Sequence, residues 1–198
     1  MIDNFSLIRT LLKFEDENKF YFLQIIQRKK DNPEITKERI IQNFYISSFE
    51  YYDKIEERVK FLSTYNNARA YIRLNVRDYK KCSLQMLKKT ADLILSEEYH
   101  AVKTAYDSVC GEFHFDNDKK WIVDIDKEYL HLKDDVKNKI LNLYHEFNMS
   151  SSSIKVEIPT KNGLHLITNP FPLDKFKKEY PDIHIHKDNP TILFCLWL

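Results

Sequence analysis

Two aspartates spaced two apart, Asp124 and Asp126, close the stretch Lys119-Lys120-Trp121-Ile122-Val123-Asp124-Ile125-Asp126. The apolar part is β-branched and aromatic, which reads as a strand. Side chains alternate along a strand, so Trp121, Val123 and Ile125 share one face and Ile122, Asp124 and Asp126 the other. Carboxylates one pleat apart raise each other's proton affinity unless a cation lies between them. A hard divalent ion such as Mg²⁺ is commonly held by such oxygens together with substrate phosphates. A strand running out into solvent would carry the same pair, so the acids acquire meaning only with partners elsewhere in the chain.

Three other stretches offer partners. In Gly163-Leu164-His165-Leu166-Ile167, His165 is the one polar side chain, and one of the chain's two glycines stands two residues before it. A histidine so placed is either a satisfied structural residue or a contact for phosphate. Lys161 sits in the turn just before it, within reach of a triphosphate. In Pro181-Asp182-Ile183-His184-Ile185-His186-Lys187-Asp188-Asn189, alternation puts Asp182, His184, His186 and Asp188 on one face. That face is a metal- or phosphate-binding edge, or the wet side of an edge strand; for the two histidines the wet edge is the simpler reading. Arg69 and Arg73 flank Tyr71 on a third candidate strand, where arginines pair phosphates and an aromatic stacks a base, unless helix acids cover them. Arg28-Lys29-Lys30 ends a further strand and reads as a solvated charge run or a grip on template phosphates. His114, Asp116 and Asp118 read as an exposed polar turn before the aspartate strand.

The elements that must position these residues follow from periodicity. Helices are predicted over 2–13, 49–65, 79–98, 99–109, 132–147 and 172–180, the last with proline at its start. In the second of these, Tyr52, Ile55, Val59 and Leu62 form one stripe. Strands are predicted over 20–27, 40–46, 68–74, 121–126, 154–158, 164–168, 183–185 and 191–197, with a Lys-Asn-Gly turn making 154–168 a hairpin and a serine-rich loop over 149–153. From residue 121 the order is β-α-β-β-α-β, that of the ferredoxin-like split unit and of RNA-recognition-motif (RRM) sheets. The expectation is a single α+β domain over 1–198, with an N-terminal α/β module (1–115) packed on an RRM-like core (116–198). In such a sheet the first and third strands are neighbours, which sets Asp124 and Asp126 beside His165.

Composition bounds the function. With 198 residues and 43% hydrophobic content, the chain can build one well-cored domain. A net charge of +1 provides no global field toward nucleic acid or membrane, so polyanion binding must come from local clusters. Cys82, Cys110 and Cys195 are odd in number and lack zinc-site spacing, which fits a reducing cytoplasm. No secretory pattern or long apolar span is evident, so the expectation is a cytoplasmic protein with no membrane partner. Two glycines, Gly111 and Gly163, are too few for a P-loop or a dinucleotide fingerprint.

Taken in order, Asp124-x-Asp126, Gly163-x-His165 and the Asp182-led strand with its Lys187/Asn189 turn resemble the motifs of the archaeo-eukaryotic primase (primase–polymerase) superfamily over roughly residues 119–195. The resemblance implies a template-dependent nucleotidyltransferase that transfers NMP or dNMP to a 3′-hydroxyl with two Mg²⁺ or Mn²⁺ ions. Asp124, Asp126 and Asp182 would be the catalytic, metal-holding carboxylates, with Asp188 the alternative third acid. His165, with Lys161 and Gly163, would meet the triphosphate. Arg69, Arg73, Arg28, Lys29 and Lys30 would hold a DNA or RNA template. The family's zinc module is not visible, and 16 residues follow Asp182, which implies a minimal core working with an accessory replication protein. The Lys-, Asn- and Ile-rich composition suits a phage or mobile element, placing the protein in a host-cell cytoplasm. Other functions open to the same residues are a metal-dependent nuclease or phosphoesterase, and a non-catalytic primase-like protein that binds nucleotide or nucleic acid.

Overall fold

A computed structural model describes residues 1–112, 118–147, 149 and 154–196. It is an α+β structure with two antiparallel sheets and, among the described residues, six α-helices. The first sheet is built from β1 (Ile2–Asp3), β2 (Lys19–Gln27), β3 (Arg39–Ile46), β4 (Arg69–Ile72), β5 (Arg77–Asp78) and β10 (Thr191–Cys195). Its order is β1-β10-β4-β2-β3, with β5 paired to β2. The second sheet has the order β7-β8-β6-β9, from β6 (Trp121–Asp126), β7 (Ile154–Thr160), β8 (Gly163–Thr168) and β9 (His184–His186). No helix among the described residues is long and apolar enough to cross a membrane.

Alternation explains how the layers stack. On β2, Tyr21, Leu23 and Ile25 point to one side and pack with Tyr52, Ile55 and Val59 of α2 (Phe49–Tyr65). That helix starts where Ser48 accepts a hydrogen bond from the Tyr51 amide, 3.0 Å. Phe20 and Phe22 point to the other side and pack with Cys82 of α3 (Tyr79–Leu95) and with Val109 and Cys110 of α4 (Ala105–Glu112). In the second sheet, Val123, Ile125, Leu164 and Leu166 face α5 (Lys133–Glu146) and α6 (Leu173–Lys177), meeting Val136, Ile140, Leu143 and Phe176. Ile122, Ile158 and Ile167, on the opposite face, join the core of the first sheet. The face that carries Asp124 is therefore the face turned toward the N-terminal module.

Buried amides stitch the two sheets together. Asn75 is 1% exposed, donates to the Lys120 carbonyl (3.1 Å) and the Lys187 carbonyl (2.9 Å), and accepts from the Lys120 amide at 2.6 Å. Asn4 donates to the carbonyls of Pro159 and Ile192, 3.0 Å each.

Three expectations change. The helix read over 2–13 shrinks to α1 (Phe5–Arg9), because residues 2–3 pair with Cys195 and Phe194 as strand β1. The segment 99–109 begins as a 3-10 turn (Tyr99–Thr104) before α4. The boundary at 115/116 is crossed by β10, which pairs with β1 and β4 of the first sheet. His114, Asp116, the serine loop beyond Met149 and Trp197 lie outside the described residues.

Candidate active site

Strand β6 runs between β8 and β9, so both neighbours present side chains to its acids. Asp124 is paired with His165 on β8 and with His184 on β9. Paired residues in antiparallel strands share a face. His165 Nε2 stands 3.6 Å from Asp124 Oδ1, and His186 Nε2 stands 3.7 Å from Oδ2. On its far side, His165 Nδ1 shares a 2.8 Å hydrogen bond with Thr191 Oγ1, a fully buried side chain on β10. His165 is thus held from both sheets at once.

These contacts set the protonation states. Burial pushes His165 below the ordinary histidine value, with Asp124 pulling the other way and His186 repelling. The ring is neutral at pH 7. Burial alone would raise the Asp124 carboxyl, but the attraction of His186, His165 and His184 outweighs it and holds the group below the usual aspartate value. Asp124 is therefore ionised.

Asp126 is exposed at the end of β6, opposite Gly163. A Cβ at Gly163 would lie 2.0 Å from the Ile125 carbonyl oxygen, so only glycine lets β8 approach here. Asp182 is exposed two residues before β9, and projecting the β6–β9 register past its last pair, Asp124 with His184, sets it opposite Asp126. The Tyr129 phenol is pushed up by Glu128 first, and by the charges of Asp182 and Asp126 as well, so both acids bear on one ring. All three carboxylates are oxygen donors of the kind Mg²⁺ and Mn²⁺ take. Among the described residues, no three His, Cys, Asp or Glu side chains are gathered tightly enough to hold a metal ion by themselves.

Other candidates are committed elsewhere. Asp188 is not with Asp124: its two oxygens accept from Nη1 and Nη2 of the fully buried Arg77 at 3.0 and 2.7 Å, and Asn75 donates at 3.1 Å. A carboxylate so engaged has little left for a metal, which removes Asp188 as the third acid. Arg69 clamps Asp31 with Nε and Nη2 at 2.7 and 2.6 Å, so its fork is turned inward rather than offered to a template. Arg73 donates to the Asp188 carbonyl and lines a cleft of about 820 Å³ with Gln24, Asn43, Tyr45 and Asp107. Arg28 pairs with Glu38 at 2.6 Å and lies over the Tyr71 ring, while Lys29 is exposed. Lys161 Nζ is 3.6 Å from Asp31 and, with Lys30, lines a second cavity.

Two features of the site differ from the sequence reading. His186, for which the wet side of an edge strand was the simpler reading, instead faces Asp124 at 3.7 Å. Thr191 had no signal, since nothing local marks a threonine 26 residues from His165 as its partner. Compared with protein-family models, with curated proteins and with solved structures, the chain matches none.

Proposed function

We propose that the chain is a nucleotidyltransferase of the primase–polymerase type, and that its second sheet is a ferredoxin-like, RRM-related unit. The observation that carries the reading is the placing of three separate motifs on three adjacent strands of one face: Asp124 and Asp126 on β6, His165 on β8, and the Asp182-led β9. The finer fold reading is supported by the strand order and by the packing of α5 and α6 on the face opposite the acids.

The residues have matching chemical roles. Asp124 and Asp126, with Asp182, are the side chains that would hold Mg²⁺ or Mn²⁺. Bound there, divalent ions would neutralise triphosphate charge and ease ionisation of a 3′-hydroxyl. His165 is kept neutral by burial and is fixed by Thr191. In the tautomer where the Thr191 hydroxyl donates to Nδ1, Nε2–H, 3.6 Å from Asp124 Oδ1, is the donor that a phosphate oxygen would take. Asp124 is held below the usual aspartate value despite its burial, with the His186 contact first among the causes that lower it, and an ionised carboxylate is the state a metal ligand requires.

The test is primer extension by the purified chain with a primed template, Mn²⁺ and all nucleotides. Extension products are expected, and Asp124→Ala should abolish them with an unchanged circular-dichroism spectrum. Absence of product from the wild-type chain, or full activity in Asp124→Ala, overturns the reading.

A further inference from the structure

Helix α3 buries one face and leaves the opposite one bare. Cys82 and Met86 turn inward, into the core they share with Phe22 and Val109. Leu84, Leu87, Ala91, Ile94 and Leu95 fall on the outward side, recurring every three or four residues as one helical stripe. The four large side chains among them are 49% to 83% exposed. A single exposed leucine needs no explanation, whereas a continuous apolar stripe marks a surface that another molecule covers.

The charges around the stripe select its occupant. From Tyr79 to Glu98, Lys80, Lys81, Lys88 and Lys89 all precede Asp92, Glu97 and Glu98. Lys80 and Lys81 lie in the first turn of α3, and Glu97 and Glu98 follow its C-cap, Ser96. A helix macrodipole favours the reverse, acids at the N-terminus and cations at the C-terminus. A second α3 laid antiparallel sets each end against the opposite sign, whereas a parallel one sets like against like. The pattern is also unchanged by reversal about position 89. Leu84 then comes opposite Ile94, Leu87 opposite Ala91, Lys80 opposite Glu98 and Lys81 opposite Glu97. A leucine facing an alanine lets the two helix axes approach. We propose that two copies of this chain pair through α3, antiparallel about a two-fold axis level with residue 89. Such a contact closes on itself, so assembly stops at the dimer. The apolar stripe supplies the affinity and the end charges set the orientation. The pairing does not depend on the nucleotidyl-transfer reading.

The experiment is sedimentation velocity of the full chain over a range of concentrations at low ionic strength, where end charges are least screened. A species of twice the chain mass is expected, dissociating on dilution. Leu87→Glu, at an exposed position, should sediment as a monomer with an unchanged circular-dichroism spectrum. The double variants Lys80→Glu/Lys81→Glu and Glu97→Lys/Glu98→Lys should each dimerise more weakly than wild type, because like charges then meet at both ends. Mixing the two should restore pairing, since opposite charges again meet at both ends of an antiparallel contact. A wild-type chain that is monomeric at every concentration overturns the proposal. So does a dimer untouched by Leu87→Glu, or a mixture that pairs no better than either variant alone. In the monomeric case, co-sedimentation with phosphatidylserine vesicles would give the stripe to a lipid surface instead.

Discussion

Removing the Arg77 guanidinium would leave the Asp188 carboxylate, only 16% exposed, without its bidentate partner. It would also orphan the carbonyls of Cys110 and Asn75, which Arg77 holds at 2.8 and 2.6 Å. Breaking a buried pair from one side costs about 3 kcal/mol or more. Arg77→Ala should lower the unfolding free energy measured by urea titration by that amount, and Asp188→Asn, which keeps the shape and one acceptor, should cost less. Equal stability of Arg77→Ala and wild type would mean that this network is not what holds the seam. The same pair shows why Asp188 was misread. Along the chain it differs from Asp182 only by position on an alternating face, and the arginine that claims it is 111 residues away. Asp124 and His165 were legible because each interrupts an apolar run, and apolar runs announce their own strand.

Strand β6 keeps its acids in place because β8 lies unusually close at Gly163. Gly163→Ala would force the Ile125 carbonyl and the Asp126 backbone away from β8, an overpacking worth about 1–3 kcal/mol. We expect a lower Tm and, under the proposed function, a loss of extension activity larger than the stability loss explains, since Asp126 moves with its backbone. Unchanged stability and activity would show that the strands part without cost. At this scale most of the fold was readable. The stripe Tyr52, Ile55 and Val59 gives α2 its buried face, and alternation gives β6, β7 and β8 their registers. The failures were at residues 2–13 and 99–109. There the local pattern is compatible with helix, and a distant strand or a 3-10 turn takes part of the segment.

Across the whole molecule, the first sheet is completed by the last of the described strands. β10 lies between β1 and β4, sets Thr191 against His165, and contributes Ile192, Leu193 and Phe194 to the main core. Nothing in residues 191–195 says which sheet they join, since five apolar or β-branched residues suit the middle of either. A fragment of residues 1–115 would expose the edges of β1 and β4 and lack that part of its core. It should aggregate or give no cooperative melting transition in circular dichroism, and a sharp transition near that of the full chain would contradict this. The arrangement bears on how the protein is made. β4 leaves the ribosome well before β10 is synthesised, with an interval of about ten seconds at ordinary translation speeds. Throughout that wait the nascent sheet has an unfilled slot, a standing invitation to chaperones and to neighbouring polysomal chains alike.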